Sequence, residues 1–316
     1  MHQKQKQELE RIDIGVVVPC YNSNLEWLVE CLASIMQSLD AYDGEAEVVV
    51  VDDGSDFCIE DGVRRLLPNS VASDIRFYRK PNGGLSSARN FGMKQTRGVW
   101  CHFIDDDDLV EEGFYRELTK SAKEVQANLI FAESRFFGEV EGQFQFYNEH
   151  IVSRLAFGNV VHVNAVLARR SLFEQSGEFD EQLNGLEDWD MWLRCVRSGA
   201  EVALVHRSMA AVRIHRKSMS TNRRRMNSRM VELSTREWQD HFDFWISKSS
   251  QPSGVTRDWA LAGLAYALRS ESPLMNTLQF RRVIAERIGA AKSLRWLLRQ
   301  TIKHILKPEK SQHSFR

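Results

Sequence analysis

Two short apolar runs constrain this chain most. Ile14 to Pro19 reads IGVVVP and Glu47 to Val51 reads EVVVV, and each is stopped by a polar cluster, CYNSN after the first and DDGSD after the second. Runs so rich in β-branched residues, with so little alternation, suit strands covered on both faces, the condition of interior strands in a parallel sheet. Between them Leu25, Leu28, Val29, Leu32, Ile35, Met36 and Leu39 recur at the spacing of one helix face. Strand, helix and strand make a β-α-β unit, which puts both polar clusters at the carboxyl ends of its strands.

The pattern continues along the chain. Ile75 to Tyr78 reads as a third strand, Leu85 to Gln95 as a helix, Val99 to Ile104 as a fourth strand and Glu112 to Val125 as a helix. Ligands of open parallel sheets collect at the carboxyl ends of strands, and the run Asp105, Asp106, Asp107, Asp108 falls there too. From about Ala127 to His150 the aromatic-rich FAESRFFGEVEGQFQFYN predicts antiparallel strands at one edge of the sheet. A helix from Trp189 to Ser198 and a strand from Val202 to Ile214 follow. The expected architecture is α/β, a Rossmann-like, mostly parallel sheet flanked by helices over residues 12–222, with a helical, basic extension over 223–316.

In that extension nine Lys or Arg face two Glu between Arg281 and Lys310, around the apolar series Ile284, Ile288, Ala291, Leu294, Leu298, Ile302 and Ile305. Such a helix suits packing on the domain with a solvated basic face, an anionic membrane surface, or self-association. The whole chain has 42 Lys and Arg against 43 Asp and Glu, a formal net charge of -1, which does not predict a nucleic-acid binder. Its five cysteines are scattered without C-x-x-C spacing, arguing against a disulfide framework or zinc ribbon and for a reducing compartment. The polar start MHQKQKQELER has no signal-peptide core, and no apolar stretch approaches the roughly 18 residues of a membrane span. A cytoplasmic protein is expected, at most peripheral at the inner membrane face.

Four consecutive carboxylates at a sheet edge repel one another unless a cation neutralises them. Hard oxygen ligands in a loop suit Mg2+ or Mn2+ shared with nucleotide phosphates, and magnesium needs only one or two of them; Asp108 also fits a cap of the following helix. Asp52 and Asp53 are suited either to hydrogen bonds with a base or ribose or to a turn. In NGGLSSARN, residues 82–90, Gly83 and Gly84 permit close backbone approach and Arg89 offers a cation for bidentate contacts; alternatively the stretch is a turn entering a helix. Glu187 and Asp188 either cap the next helix or perform proton transfer.

VVVPCYN at 16–22, VVVVDDGS at 48–55, NGGLSSARNFGM at 82–93, FIDDDDLV at 103–110 and GLEDWDMWLR at 185–194 together resemble the inverting family 2 glycosyltransferases, which have the GT-A fold. The resemblance covers about residues 12–220. It implies that Pro19, Tyr21, Asn22 and Asp53 bind the donor nucleotide, with Arg89 near the base. Asp105 and Asp107 would form the family's D-x-D, Asp107 coordinating the metal directly and Asp105 and Asp106 serving the donor; Asp106 stands where the family usually has a small residue. Glu187 and Asp188 would be the acceptor-side pair, Asp188 the base, with Trp189 and Trp192 as stacking or packing surfaces. His215, between Arg213 and Lys217, matches a histidine close to the metal or diphosphate.

The implied activity is inverting transfer from a nucleoside-diphosphate sugar, a UDP-sugar foremost, to a hydroxyl of a glycan or lipid-linked acceptor in cell-surface polysaccharide biosynthesis, with Mn2+ or Mg2+. A non-catalytic sugar-nucleotide-binding or scaffold member of the same fold is the competing expectation, against which Asp107 and Asp188 together count. A sugar-nucleotide-forming nucleotidyltransferase fits worse, because PCYNSN replaces its Gly-rich basic loop.

Overall fold

The structure, a computed structural model, describes residues 13–146, 155, 159–183 and 185–215, all within one compact unit. The basic extension expected over 223–316, and Lys217, lie outside the described residues.

The chain opens with β1 (Ile14–Cys20), α1 (Leu25–Asp40) and β2 (Ala46–Asp52), close to the expected bounds. Helix α1 begins where Asn24 accepts hydrogen bonds from the backbone N–H groups of Glu26 and Trp27 at 2.9 and 3.2 Å, satisfying donors that have no partner inside a helix. Next come α2 (Ile59–Leu66), the single turn α3 (Asn69–Ala72), β3 (Ile75–Arg79), α4 (Leu85–Gln95) and β4 (Trp100–Phe103). The second half holds β5 (Leu109–Val110), α5 (Phe114–Val125), β6 (Leu129–Gly138) and β7 (Gly142–Phe144), then β8 (Val166–Arg169), α6 (Arg170–Ser176), α7 (Glu187–Arg197) and β9 (Val202–Ile214).

Nine strands among the described residues form one sheet in the order β3-β2-β1-β4-β8-β6-β9-β5, with β7 on β6. The first four are parallel, and Val16, Val17 and Val18 of β1 lie beside Val48, Val49 and Val50 of β2. Every residue of β1 is buried, as its unbroken apolar run requires. Helix α4 lies directly on these strands through Gly92, where a Cβ would come within 2.3 Å of Val17 and 3.0 Å of Val51.

Strand β8 reverses direction against β4, and β9 runs parallel to β6 while pairing antiparallel with β5. The antiparallel pair expected at one edge is β6 and β7, but β6 runs through the interior, between β8 and β9. Its opening LIFA is continuous rather than alternating, and both faces of that stretch are buried. Of that pair only the short β7 is peripheral.

Candidate functional site

The loops after β1 and β2 are tied together. Asn22, in a left-handed conformation with φ of 50°, donates its N–H to Ser55 Oγ at 2.8 Å and exchanges two hydrogen bonds with Asp56, at 3.1 and 2.9 Å. Pro19 is buried at the end of β1, whereas the Tyr21 ring is 55% exposed. The buried Asp53 carboxylate accepts from Lys80 Nζ at 2.6 Å and from the backbone N–H groups of Gly83 and Gly84 at 3.0 and 2.7 Å. Gly84 has φ of 89°, a conformation that a side chain would strain. Asp53, expected beside the donor nucleotide, therefore also holds the NGG loop in shape.

Each carboxylate of the acidic loop has a different partner. Asp105 Oδ1 accepts from Arg89 at 2.6 Å, Asp106 from the Ser23 hydroxyl, and Asp108 from the Arg213 backbone N–H at 2.8 Å, while Asp107 Oδ2 meets His215 Nε2 at 3.0 Å. The Asp108 side chain thus anchors the loop to β9, and the residue at the N-cap of α5 is Gly113, so the expected capping role is not realised. Arg213 donates from Nε to the Asp107 carbonyl at 2.9 Å and from a terminal nitrogen to Glu30, and its guanidinium lies 5.0 Å from the Trp27 ring centre and 4.4 Å from that of Phe137. The Trp27 and His215 rings sit 4.8 Å apart. Burial, then repulsion from Asp107 and Asp105, pushes the Asp106 carboxyl up to about 7 against the Ser23 hydrogen bond. Burial and neighbouring carboxylates also raise Asp107 and Asp108, with His215 opposing the rise at Asp107.

In all three, Asp106, Asp107 and Asp108, withdrawal from water is the main cause and the neighbouring carboxylates add to it. Asp105 and Asp107 keep part of their carboxylates exposed and His215 adds an imidazole, a donor set able to hold Mn2+ or Mg2+ if phosphate oxygens and water complete the coordination. Among the described residues no three His, Cys, Asp or Glu side chains converge as a ready-made metal cage.

Arg89, expected near the base, is 1% exposed. One terminal nitrogen donates to Asp105 and the other to Glu187 Oε1 at 2.8 Å, while the guanidinium lies 5.5 Å from the Phe179 ring centre. Burial opposes its charge, but Asp105 and Glu187 more than offset that and raise its pKa. Arg89 Nε and Glu187 Oε2 are buried without a hydrogen-bond partner among the described residues.

Glu187 and Asp188 open α7 immediately after Gly185 and Leu186, whose φ values of 100° and 67° turn the chain sharply. Neither carboxylate caps the helix in the usual way. Glu187 is taken by Arg89; Asp188 accepts from Asn159 Nδ2 at 2.7 Å and from its neighbour's N–H, Trp189, at 2.8 Å. Burial, then Glu187, pushes the Asp188 carboxyl up to about 6 against Arg89, Asn159 and the Trp189 N–H. Trp189 and Trp192 are each 1% exposed: the first donates from Nε1 to the Leu155 carbonyl at 2.6 Å, and the second packs edge-on against Phe131, Phe173 and Phe179. They belong to the core, not to a stacking surface. Sequence reasoning gave no role to Asn159 and Lys80, isolated polar residues, or to Ser23 within CYNSN; the importance of each lies in what the fold brings beside it.

A mostly parallel sheet with an acidic loop and a carboxylate pair gathered at its strand ends has the GT-A architecture. Residues 15–176 match glycosyl transferase family 2, and the chain belongs to that family. It is 26% identical over 223 residues to the uncharacterized glycosyltransferase EpsJ of Bacillus subtilis, covering 66% of this chain and 62% of EpsJ. It is 34% identical over 134 residues to the minor teichoic acid biosynthesis protein GgaB of the same organism, covering 39% of this chain and 14% of GgaB. Each match spans less than two thirds of the relative. Among solved structures, S. aureus TarS 1-349 in complex with UDP-GlcNAc superposes with a TM-score of 0.59 at 17% identity, covering 93% of this chain and 80% of that one. Mannosyltransferase PcManGT from Pyrobaculum calidifontis, with GDP-Man and Mn2+, gives 0.58 at 16%, covering 98% and 94%. These likenesses bear out the expected fold and family.

Proposed function

We propose that this protein is an inverting, metal-dependent glycosyltransferase that moves a sugar from a UDP-sugar to a hydroxyl of a glycan or lipid-linked acceptor in cell-surface polysaccharide biosynthesis. The observation that carries this is the Asp105–Arg89–Glu187 link, which sets the acidic loop against the Glu187–Asp188 turn in one site. Family membership supports it, as do the teichoic acid role in GgaB's name and the UDP-GlcNAc bound to TarS. The Mn2+ beside GDP-Man in PcManGT supports the metal.

A divalent cation would be held by Asp107 with Asp105 and His215, and when bound would supply charge to stabilise the departing diphosphate. Tyr21, Asn22 and Asp53 border the nucleotide, with Asp106 and Pro19 behind them. Asp188 takes the proton of the acceptor hydroxyl as its oxygen bonds to the anomeric carbon and the bond to the diphosphate oxygen breaks, inverting the configuration. Asn159 holds one Asp188 oxygen and the Trp189 N–H the other, fixing the orientation of the carboxylate.

Calorimetry of UDP, GDP and UDP-GlcNAc with Mn2+, then with excess chelator, tests the donor half. Metal-dependent binding of UDP and UDP-GlcNAc is expected; no binding of any nucleotide overturns the assignment and favours a scaffold role. Asp107→Ala should weaken that binding at least about tenfold, a loss of roughly 1.4 kcal/mol. Asp188→Asn should leave binding intact and abolish transfer, and near-normal turnover would remove Asp188 as the base.

No helix among the described residues is long and apolar enough to cross a membrane. The basic segment between Arg281 and Lys310 supports peripheral binding to an anionic inner face. Flotation of the full chain with anionic but not zwitterionic vesicles, reversed by salt, is expected; equal recovery with both opposes the idea and leaves self-association as the segment's role.

A further inference from the structure

The geometry points to Arg89 as a positioning residue that couples the acidic loop to the Glu187–Asp188 turn, so that filling the donor side sets the acceptor side. This rests on the proposed glycosyl transfer and adds to it a means of ordering the two substrates.

The arginine is forked between carboxylates from distant parts of the chain, Asp105 at 2.6 Å and Glu187 at 2.8 Å. Arg89 itself is 1% exposed, so its own nitrogens are shielded from bulk water even though Asp105 is partly exposed, and only a planar guanidinium spans two carboxylates with fixed geometry; a lysine ammonium acts as a point charge. The link is also incomplete. Among the described residues Arg89 Nε and Glu187 Oε2 have no partner, so the guanidinium is poised between its two carboxylates rather than saturated by them.

Its base is rigid. Arg89 lies on α4, pressed against β1 and β2 at Gly92. The next residue, Asn90, exchanges hydrogen bonds with the Phe179 backbone, both 2.9 Å, in the segment leading to Gly185 and Leu186. Positive charge arriving beside Asp105 weakens that carboxylate's hold on Arg89 and strengthens the hold of Glu187. Occupancy at the acidic loop is thereby felt at the first turn of α7. A mere structural clamp would stabilise the fold without carrying this signal.

Hydrogen exchange on the full chain separates the two roles, read with and without UDP plus Mn2+. In the native protein, UDP with Mn2+ should slow exchange in peptides covering 103–110, and in peptides covering 186–193 by about tenfold, within the range typical of coupled sites. Arg89→Lys should keep the first effect and reduce the second to less than about twofold. If the lysine variant lacks a cooperative melt, Glu187→Gln replaces it with the same expectation, since it retains an acceptor but loses the charge.

Undiminished protection of 186–193 in the variant overturns the coupling. So does protection of 103–110 alone in the native protein, although the donor site then stands. No response anywhere to UDP or GDP with Mn2+ overturns both the donor site and the coupling built on it.

Discussion

A carboxylate withdrawn from water holds its proton more tightly, and Asp188 does so to about 6. The proposed base must be deprotonated to act, so kcat/KM should climb as pH rises through about 6 and level off above it. A rate–pH profile checks this. Asn159 hydrogen-bonds the charged form, so Asn159→Ala should move that limb to higher pH. A limb unmoved in the variant would mean that Asn159 does not act on the base. The sequence singles out Asp188 through GLEDWD, but its partner Asn159 lies 29 residues earlier with no pattern around it. Arg89 was equally visible as a cation and equally unplaceable. Its partners are 16 and 98 residues away, and nothing in ARN tells a buried fork from an exposed hand.

At the scale of elements, legibility followed the strength of the periodic signal. The valine runs of β1 and β2 and the long face of α1 gave nearly correct bounds because burial on both faces leaves few alternatives. Strand β8 has four residues and α6 has seven, too short for either period to rise above the background. Strand β6 was recognised but assigned to an edge, since its polar second half obscured the apolar first. The contacts of α1 and α4 give two stability predictions. Asn24→Ala should cost about 1 kcal/mol by removing the α1 cap. Gly92→Ala should cost about 1–3 kcal/mol through overpacking against Val17 and Val51. Both are read from denaturant unfolding, and a Gly92→Ala protein as stable as the native one would contradict the close helix–sheet contact.

At the scale of the molecule, the near balance of charge conceals a strongly polarised distribution: acidic at the sheet's carboxyl edge and basic in the last stretch of the sequence. The proposed donor site makes stability depend on ligand. UDP and Mn2+ at about a hundred times the dissociation constant should stabilise the fold by roughly 2.7 kcal/mol. Excess chelator should abolish the gain, and a melting temperature indifferent to UDP with Mn2+ would count against the site.

Strand β5, which follows the acidic loop, pairs with β9, whose partner residues Ala210 and Ala211 come much later in the chain. A ribosome making this protein therefore releases the four aspartates roughly a hundred residues before their anchoring strand, an interval of about 5–20 s at ordinary elongation rates. Until then Asp108 lacks Arg213, and the nascent chain carries an unfinished acidic edge that a chaperone has time to meet. The acidic loop is thus completed late, while the loops after β1 and β2, whose ties all lie within the first 84 residues, can be set well before it.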